Sequence, residues 1–345
     1  MAPNMWQQFR PVFVALLIGI IGATLTWWFA VPAPFLTGPA AFVSVAGVLG
    51  VKCYIPPILR NACFIIIGLV LGSTITPEIL SAAAAWPLSL AGMCVSVALV
   101  MLAGGTMFQH VFGMDRNTAL LASSPGHLSY VLSYSVDLGA GTATISVIQS
   151  MRVLLLTLAV PAAVALLTDA DMTMRAPVGL ALSSVSFAIL AALAAGFGSV
   201  LAKVKVPAAY LIAGMIISSI GHATNTTPGS VAPMVSTAAF VVMGTLIGTR
   251  FSGVTLNTLR KAAVGGIALT LIGLGISIGA AAVISHFSGL PLIDVIIAFA
   301  PGGLETMVAM GAIVGADPAY VAIHHVGRLF FLSVFVPFAL SRSGT

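Results

Sequence analysis

Between Arg10 and Lys52 the chain runs from Pro11 to Val51 without one charged side chain. The apolar core of a secretory signal spans only about 7–15 residues, and a soluble domain could not keep so long an uncharged run out of water. The run is long enough for two membrane helices of about 20 residues each. The rest of the chain agrees with this start. Of 345 residues, 59% are hydrophobic and 6% charged, with a mean hydropathy of +1.15, whereas a soluble domain carries about a quarter charged residues. Such a composition excludes a soluble enzyme, a secreted disulfide scaffold and a disordered protein, and predicts an all-α integral membrane protein. Cys53, Cys63 and Cys94 are odd in number and lack metal-ligand spacing, so they read as buried free thiols. The formal net charge of +5 marks membrane topology rather than an affinity for nucleic acid.

Charges, prolines and glycines divide the chain into twelve apolar segments, near 12–30, 33–51, 59–76, 88–112, 116–138, 143–167, 177–201, 207–221, 234–250, 263–286, 292–314 and 319–340. The longest polar loop, Gly221 to Pro233, is too short to be a domain. The segments repeat. VPAPFL at Val31–Leu36 returns as VPAAYL at Val206–Leu211, an offset of 175. NACFIIIGLVLG at Asn61–Gly72 returns as TAAFVVMGTLIG at Thr237–Gly248, and SSPGHLSY at Ser123–Tyr130 as FAPGGLET at Phe299–Thr306, both at 176. Arg152 pairs with Arg328 and Pro161 with Pro337 at the same spacing. The chain reads as a duplicated six-segment unit, residues 1–168 and 176–345.

Loop cations indicate how the copies are oriented, because Lys and Arg concentrate on the cytoplasmic side. If all six segments of each copy cross and the N-terminus is inside, the loop cations divide 6:5. If the fifth segment of each copy fails to cross, Arg10, Lys52, Arg60, Arg116, Lys203, Lys205, Arg250, Arg260, Lys261 and Arg342 are cytoplasmic and only Arg175 is outside, a 10:1 division. The expected architecture is therefore two inverted repeats, each with a Pro-Gly-broken or re-entrant fifth segment, and both termini in the cytoplasm.

The candidate chemistry gathers at those fifth segments. Pro125-Gly126 and Pro301-Gly302-Gly303 should interrupt their helices, and backbone groups freed in a bilayer must face protein or water. Inverted-repeat transporters place such breaks at a midplane site. Arg152 and Arg328 each lie about ten residues into an apolar segment, where an isolated guanidinium costs at least about 2.5–3.5 kcal/mol. Each could bind a substrate carboxylate bidentately, or serve structurally, satisfied by Glu305 or by carbonyls of the broken helix. Glu305, whose first-copy counterpart is Ser129, could carry a coupling proton, help bind Na+ or neutralise Arg328. His127 stands where the second copy has Gly303, and could bind substrate or titrate near neutrality. Gln149 and His325 each precede an arginine by three positions, one helical turn. Gly68/Gly72 and Gly244/Gly248 have the spacing of close helix packing.

The doubled unit, the SPGH and APGG breaks with their distal arginines, and the paired VPA and GxxxG elements resemble the bacterial AbrB-type membrane proteins over essentially the whole chain. The resemblance carries labels of ammonia monooxygenase and of regulator of gene expression. It implies an architecture like that of inverted-repeat transporters for cations, bile acids and organic anions. Pro125, Gly126, Arg152, Pro301, Gly302, Gly303, Glu305 and Arg328 are the positions that match.

The expected function is secondary transport of a small anionic solute across a bacterial inner membrane, with H+ or Na+ as coupling ion. No catalytic residue, metal, cofactor or nucleic-acid partner is expected, and a homo-oligomer is compatible with the sequence. An indirect regulatory role is the alternative. A monooxygenase would need clustered metal ligands; only His324 and His325 adjoin, and neighbouring side chains on a helix diverge.

Overall fold

The computed structural model describes residues 5–73, 86–126, 128–167, 181–224 and 226–341. Among these the chain is helical throughout, with no named strand. The first half forms α1 (Met5–Trp28), α2 (Pro34–Val48), α3 (Pro57–Gly72), α4 (Trp86–His110), α5 (Arg116–Ser123), α6 (Leu128–Asp137) and α7 (Thr142–Leu167). The second forms α8 (Ser184–Lys203), α9 (Ala209–Ala223), α10 (Pro233–Thr249), α11 (Leu256–Ser288), α12 (Leu292–Phe299), α13 (Leu304–Val314) and α14 (Pro318–Ser341). Among the described residues six helices, α1, α4, α7, α8, α11 and α14, are long and apolar enough to cross a membrane. The protein is a multi-pass membrane protein. The helices α2, α3, α9 and α10 have 15–17 residues, about 22–26 Å at 1.5 Å per residue.

The repeat extends to backbone conformation. Ala30 and Ala33 are left-handed (φ 51° each), and so are their second-copy counterparts Lys205 and Ala208 (φ 61° and 49°). Gly113 and Gly139 have positive φ, as do Gly289 and Gly315 at the equivalent places of the second copy. The left-handed region crowds a Cβ against its carbonyl, so the Val-Pro-Ala turns before α2 and α9 store strain in both copies. Ala30 and Lys205 are exposed and have no buried side chain to lose. Ala30→Gly and Lys205→Gly should each raise stability by about 1 kcal/mol, seen as a higher melting temperature of the purified protein. A lower one would mean that these side chains make contacts that matter.

The helices gather into two compact units, each drawing on both halves of the sequence. The first contains α1, α2, α3, α8, α9 and α10. Its seams are built on glycine. A Cβ at Gly68 would meet the Leu211 carbonyl and come within 2.9 Å of Gly214 Cα, and a Cβ at Gly72 would lie 2.6 Å from Ser218 Cβ. The same seam recurs between α10 and α2. There a Cβ at Gly244 would meet the Leu36 carbonyl, and one at Gly248 would lie 2.6 Å from Val43 Cβ. Partners rise together along both helices, so α3 runs parallel to α9 and α2 parallel to α10. Small residues allow this approach, and hydroxyls reinforce it: Ser218 donates to the Leu69 carbonyl at 2.8 Å. Cys63 donates its thiol to the carbonyl of Ala239, its own counterpart in the second copy.

The second unit contains α4, α5, α6, α11 and α12, with α7 to Val160, α13 to Met307 and α14 from Tyr320. Its long pair is α4 and α11. Gly92 faces Ile284, Val100 faces Gly273, Gly104 faces Leu269 and Phe108 faces Gly265. As one number rises the other falls, so these two helices are antiparallel.

Candidate functional site: two helix breaks held by arginines

The residue before a proline is driven out of the α region into extended conformation. Ser124 (φ −60°, ψ 119°), before Pro125, therefore ends α5, and Ala300 (φ −52°, ψ 128°), before Pro301, ends α12. Helix resumes at Leu128 and at Leu304. The last carbonyls of a helix have no partner of their own, and here they lie inside an apolar bundle.

A polar pair on the next long helix meets them in each copy. Arg152 donates from Nη1 to the Ser124 carbonyl (3.0 Å) and from Nη2 to Gln149 Oε1 (2.8 Å). The Gln149 amide passes this on, donating to the carbonyls of Leu121 and Ser124 at 3.0 Å each. In the second copy Arg328 donates from Nη1 to the Ala300 carbonyl (2.7 Å) and from Nη2 to the Gly302 carbonyl (2.6 Å). Its Nη2 also meets His325 Nδ1, while His325 Nε2 donates to the Ile297 carbonyl at 3.1 Å. Leu121 and Ile297, Ser124 and Ala300, and Gln149 and His325 are repeat counterparts, so glutamine and histidine do the same work. Each offers one acceptor to the guanidinium and a donor to the matching carbonyl, Leu121 or Ile297, and Gln149 adds a second donor to Ser124. Since a guanidinium can only donate, His325 carries its proton on Nε2. Each arginine thus sets a cation against the negative end of a short helix, which accounts for its tolerance of complete burial.

Neither guanidinium is used up. Among the described residues the Nε–H of Arg152 and that of Arg328 are both buried with no hydrogen-bond partner, and neither arginine pairs with a carboxylate. Of the two structural partners offered for Arg328, Glu305 and the carbonyls of the broken helix, the structure has the carbonyls, and neutralisation by Glu305 is corrected. Backbone carbonyls hold Arg328, and Glu305 is partly exposed in the first turn of α13, with its Oε2 3.8 Å from where a Gly303 Cβ would lie. Gly126 has φ +107°, a conformation suited to glycine, and a Cβ there would sit 3.5 Å from Arg328 Nε and 3.7 Å from its Nη2. One arginine thus touches both breaks, bonding to Gly302 of its own copy and facing Gly126 of the other. Gly302 itself packs against the Met307 side chain. His127 and the side chain of Ser129 lie outside the described residues.

Sequence reasoning passed over a second buried network. Tyr320 donates its hydroxyl to Ser89 Oγ at 2.7 Å, Ser89 Oγ contacts His324 Nε2, and His324 Nδ1 donates to the Tyr320 carbonyl at 2.8 Å. Adjacent histidines on one helix were the available signal; they face different clusters. Among the described residues no group of three or more His, Cys, Asp or Glu could hold a metal ion.

The fold and site define a multi-pass helical membrane protein with two proline-broken helices, each held by a buried arginine. The profile of the family described as "Transition state regulatory protein AbrB" matches residues 35–343, and the chain belongs to this AbrB family. It is similar to "Uncharacterized protein YhjN" of Bacillus subtilis (strain 168), with 28% identity over 79% of this chain and 75% of that one. It is also similar to "Putative regulator AbrB" of Escherichia coli (strain K12), with 24% identity over 98% of this chain and 95% of that one.

Proposed function

We propose that the protein is a secondary transporter of a small anion, built from two inverted repeats of five crossings and one broken, non-crossing segment each. It lies in the bacterial inner membrane with both termini in the cytoplasm. Helix direction supports the inversion. In a chain that crosses back and forth, two crossings are parallel only when their ordinal numbers differ by an even number. If α5–α6 makes no net crossing, α3 and α9 differ by four and α2 and α10 by six, while α4 and α11 differ by five. Those are the parallel, parallel and antiparallel packings of these pairs. If α5–α6 did cross, all three would reverse.

The observation that carries the solute class is the pair of buried guanidiniums, each with a free Nε–H and no carboxylate partner among the described residues. Two cations with no carboxylate counter-charge among the described residues, held only by neutral acceptors, the helix-end carbonyls among them, favour an anion. H+ or Na+ is the coupling ion in this reading. A change in an intracellular solute would account for the family's regulator label without contact to DNA.

Two measurements test the proposal. In a cysteine-free background, Val111→Cys and Asp137→Cys flank the first broken segment, and both should react only with reagent on the cytoplasmic side. Reaction on opposite sides would mean that the segment crosses. Proteoliposomes preloaded with acetate, lactate, succinate or phosphate should accumulate the matching labelled anion by saturable counterflow. Failure with all four would remove anion transport.

A further inference from the structure

Backbone carbonyls meet both ring nitrogens of His222, half-buried in the last turn of α9. Its Nδ1 lies 2.8 Å from the Ser218 carbonyl and its Nε2 lies 2.7 Å from the Gly229 carbonyl. A carbonyl only accepts, and a neutral imidazole has one N–H and one lone pair. The Ser218 hydroxyl, 3.5 Å from Nδ1, offers no donor either, because it spends its hydrogen on the Leu69 carbonyl. His324 and His325 differ, for each sets one nitrogen on a carbonyl and the other on a group with a hydrogen to give. An imidazolium alone satisfies both contacts of His222, and the C-terminal end of a helix favours that charge.

The second contact closes a loop. Gly229 belongs to the connection between α9 and α10, and its neighbour Ser230 accepts from the Leu182 amide just before α8. Val231 then enters the apolar cluster of Ile65, Leu69, Leu190 and Ala194. At the near end of the connection, Thr226 and Thr227 donate their amides to the Gly221 carbonyl. In the first copy Gly47 stands at the matching place, where a Cβ would lie 2.9 Å from the Phe251 backbone, so the second half alone has this tie. The helices α3, α8 and α9 meet at this end and α10 starts from it. Among the described residues none of them, nor the connection, sets another charged or titratable side chain there. Arg60, Lys203, Tyr210 and Arg250 lie at the opposite ends of those helices, and Cys63 lies midway along α3.

We infer that His222 is a proton-operated latch, which holds the α9–α10 connection at Gly229 when protonated and releases it when neutral. On loss of the proton the remaining N–H stays on Ser218, one turn back on the same helix, and the Nε2 lone pair opposes the Gly229 carbonyl. Only the connection has to move to relieve that contact. Histidine changes its charge between about pH 5 and 8, so the latch is closed in acid and opens as the pH rises. The latch itself stands apart from the transporter reading; the side from which its proton comes rests on that reading, which puts this connection outside.

Purified full-length protein in detergent exposes both faces to one pH, so topology does not enter the test, and its failure leaves the transporter reading standing. His222→Gln, which removes the charge, should melt about 3 °C below the wild type at pH 5 and level with it at pH 8. An equal loss at both pH values is what a neutral histidine would give, and it overturns the latch, as does no loss at either. Amide exchange of the wild type decides the matter even if His222→Gln does not fold. Protection of the Thr226, Thr227 and Leu182 amides, corrected for the intrinsic pH dependence of exchange, should fall about tenfold from pH 5 to pH 8, the worth of one charge-assisted hydrogen bond. Amides in the middle of α3 are the reference and should not change. Unchanged protection at the three amides, or the same fall in α3, overturns the inference.

Discussion

Arg328→Gln should destabilise the protein by about 4 kcal/mol, a large fraction of the stability of an ordinary domain. The guanidinium serves the carbonyls of Ala300 and Gly302, and a buried acceptor left without a donor costs about 1–3 kcal/mol. His325 cannot replace it, because its one N–H is held by Ile297. Relief of burying a charge offsets part of the loss, but that charge already sits at a helix C-terminus that stabilises it. Arg152→Gln should cost less, about 2 kcal/mol, because Ser124 keeps a donor in Gln149. Melting of the two purified variants in one detergent ranks them, and equal losses would show that carbonyl satisfaction is not what the arginines provide. The ranking also bears on transport. A variant that stays folded and loses solute binding reports on the free Nε–H, whereas one that fails to purify reports on the cap.

Much of this was legible in the sequence because bilayers leave few solutions. Apolar runs must be helices, and a constant offset linking Pro-Gly breaks, arginines and glycine pairs brings the second half under the same rules as the first. The breaks at Pro125 and Pro301 follow from local sterics, and they fall where composition alone places them. The partners of the arginines were less legible. Leu121, Ser124, Ile297 and Ala300 act through backbone carbonyls, which every residue has, so no side-chain pattern marks them. Glu305 attracted attention as the acid that follows the second Pro-Gly break inside an apolar segment, but helix-end carbonyls reach the Arg328 guanidinium first and need no second desolvated charge. The exchange of Gln149 for His325 is opaque as spelling and plain as hydrogen bonding, since both set an acceptor toward the guanidinium and a donor toward the helix-end carbonyl.

The second large effect concerns the seams of the first unit. Gly68→Ala should destabilise by about 3 kcal/mol, at the upper end of what overpacking costs. The new methyl would meet the Leu211 carbonyl, with Gly214 Cα at 2.9 Å and Met215 N at 3.0 Å. All three are backbone, so no side chain can swing away and relief requires α3 to separate from α9. That separation would also stretch the Ser218 to Leu69 hydrogen bond along the same line. Gly244→Ala should behave alike, because its methyl would meet the Leu36 carbonyl with Pro39 Cβ at 3.0 Å. Gly196 and Gly275 are the controls. Each lies inside a helix with nothing within 4 Å of its Cβ position, so alanine there adds helix propensity of about 0.5–1 kcal/mol without a clash. Comparing the four variants by melting separates close approach from helix propensity. If Gly68→Ala and Gly244→Ala melt with the controls, the parallel seams are looser than drawn, and the helix directions that support the inverted repeat lose two of their three pairs.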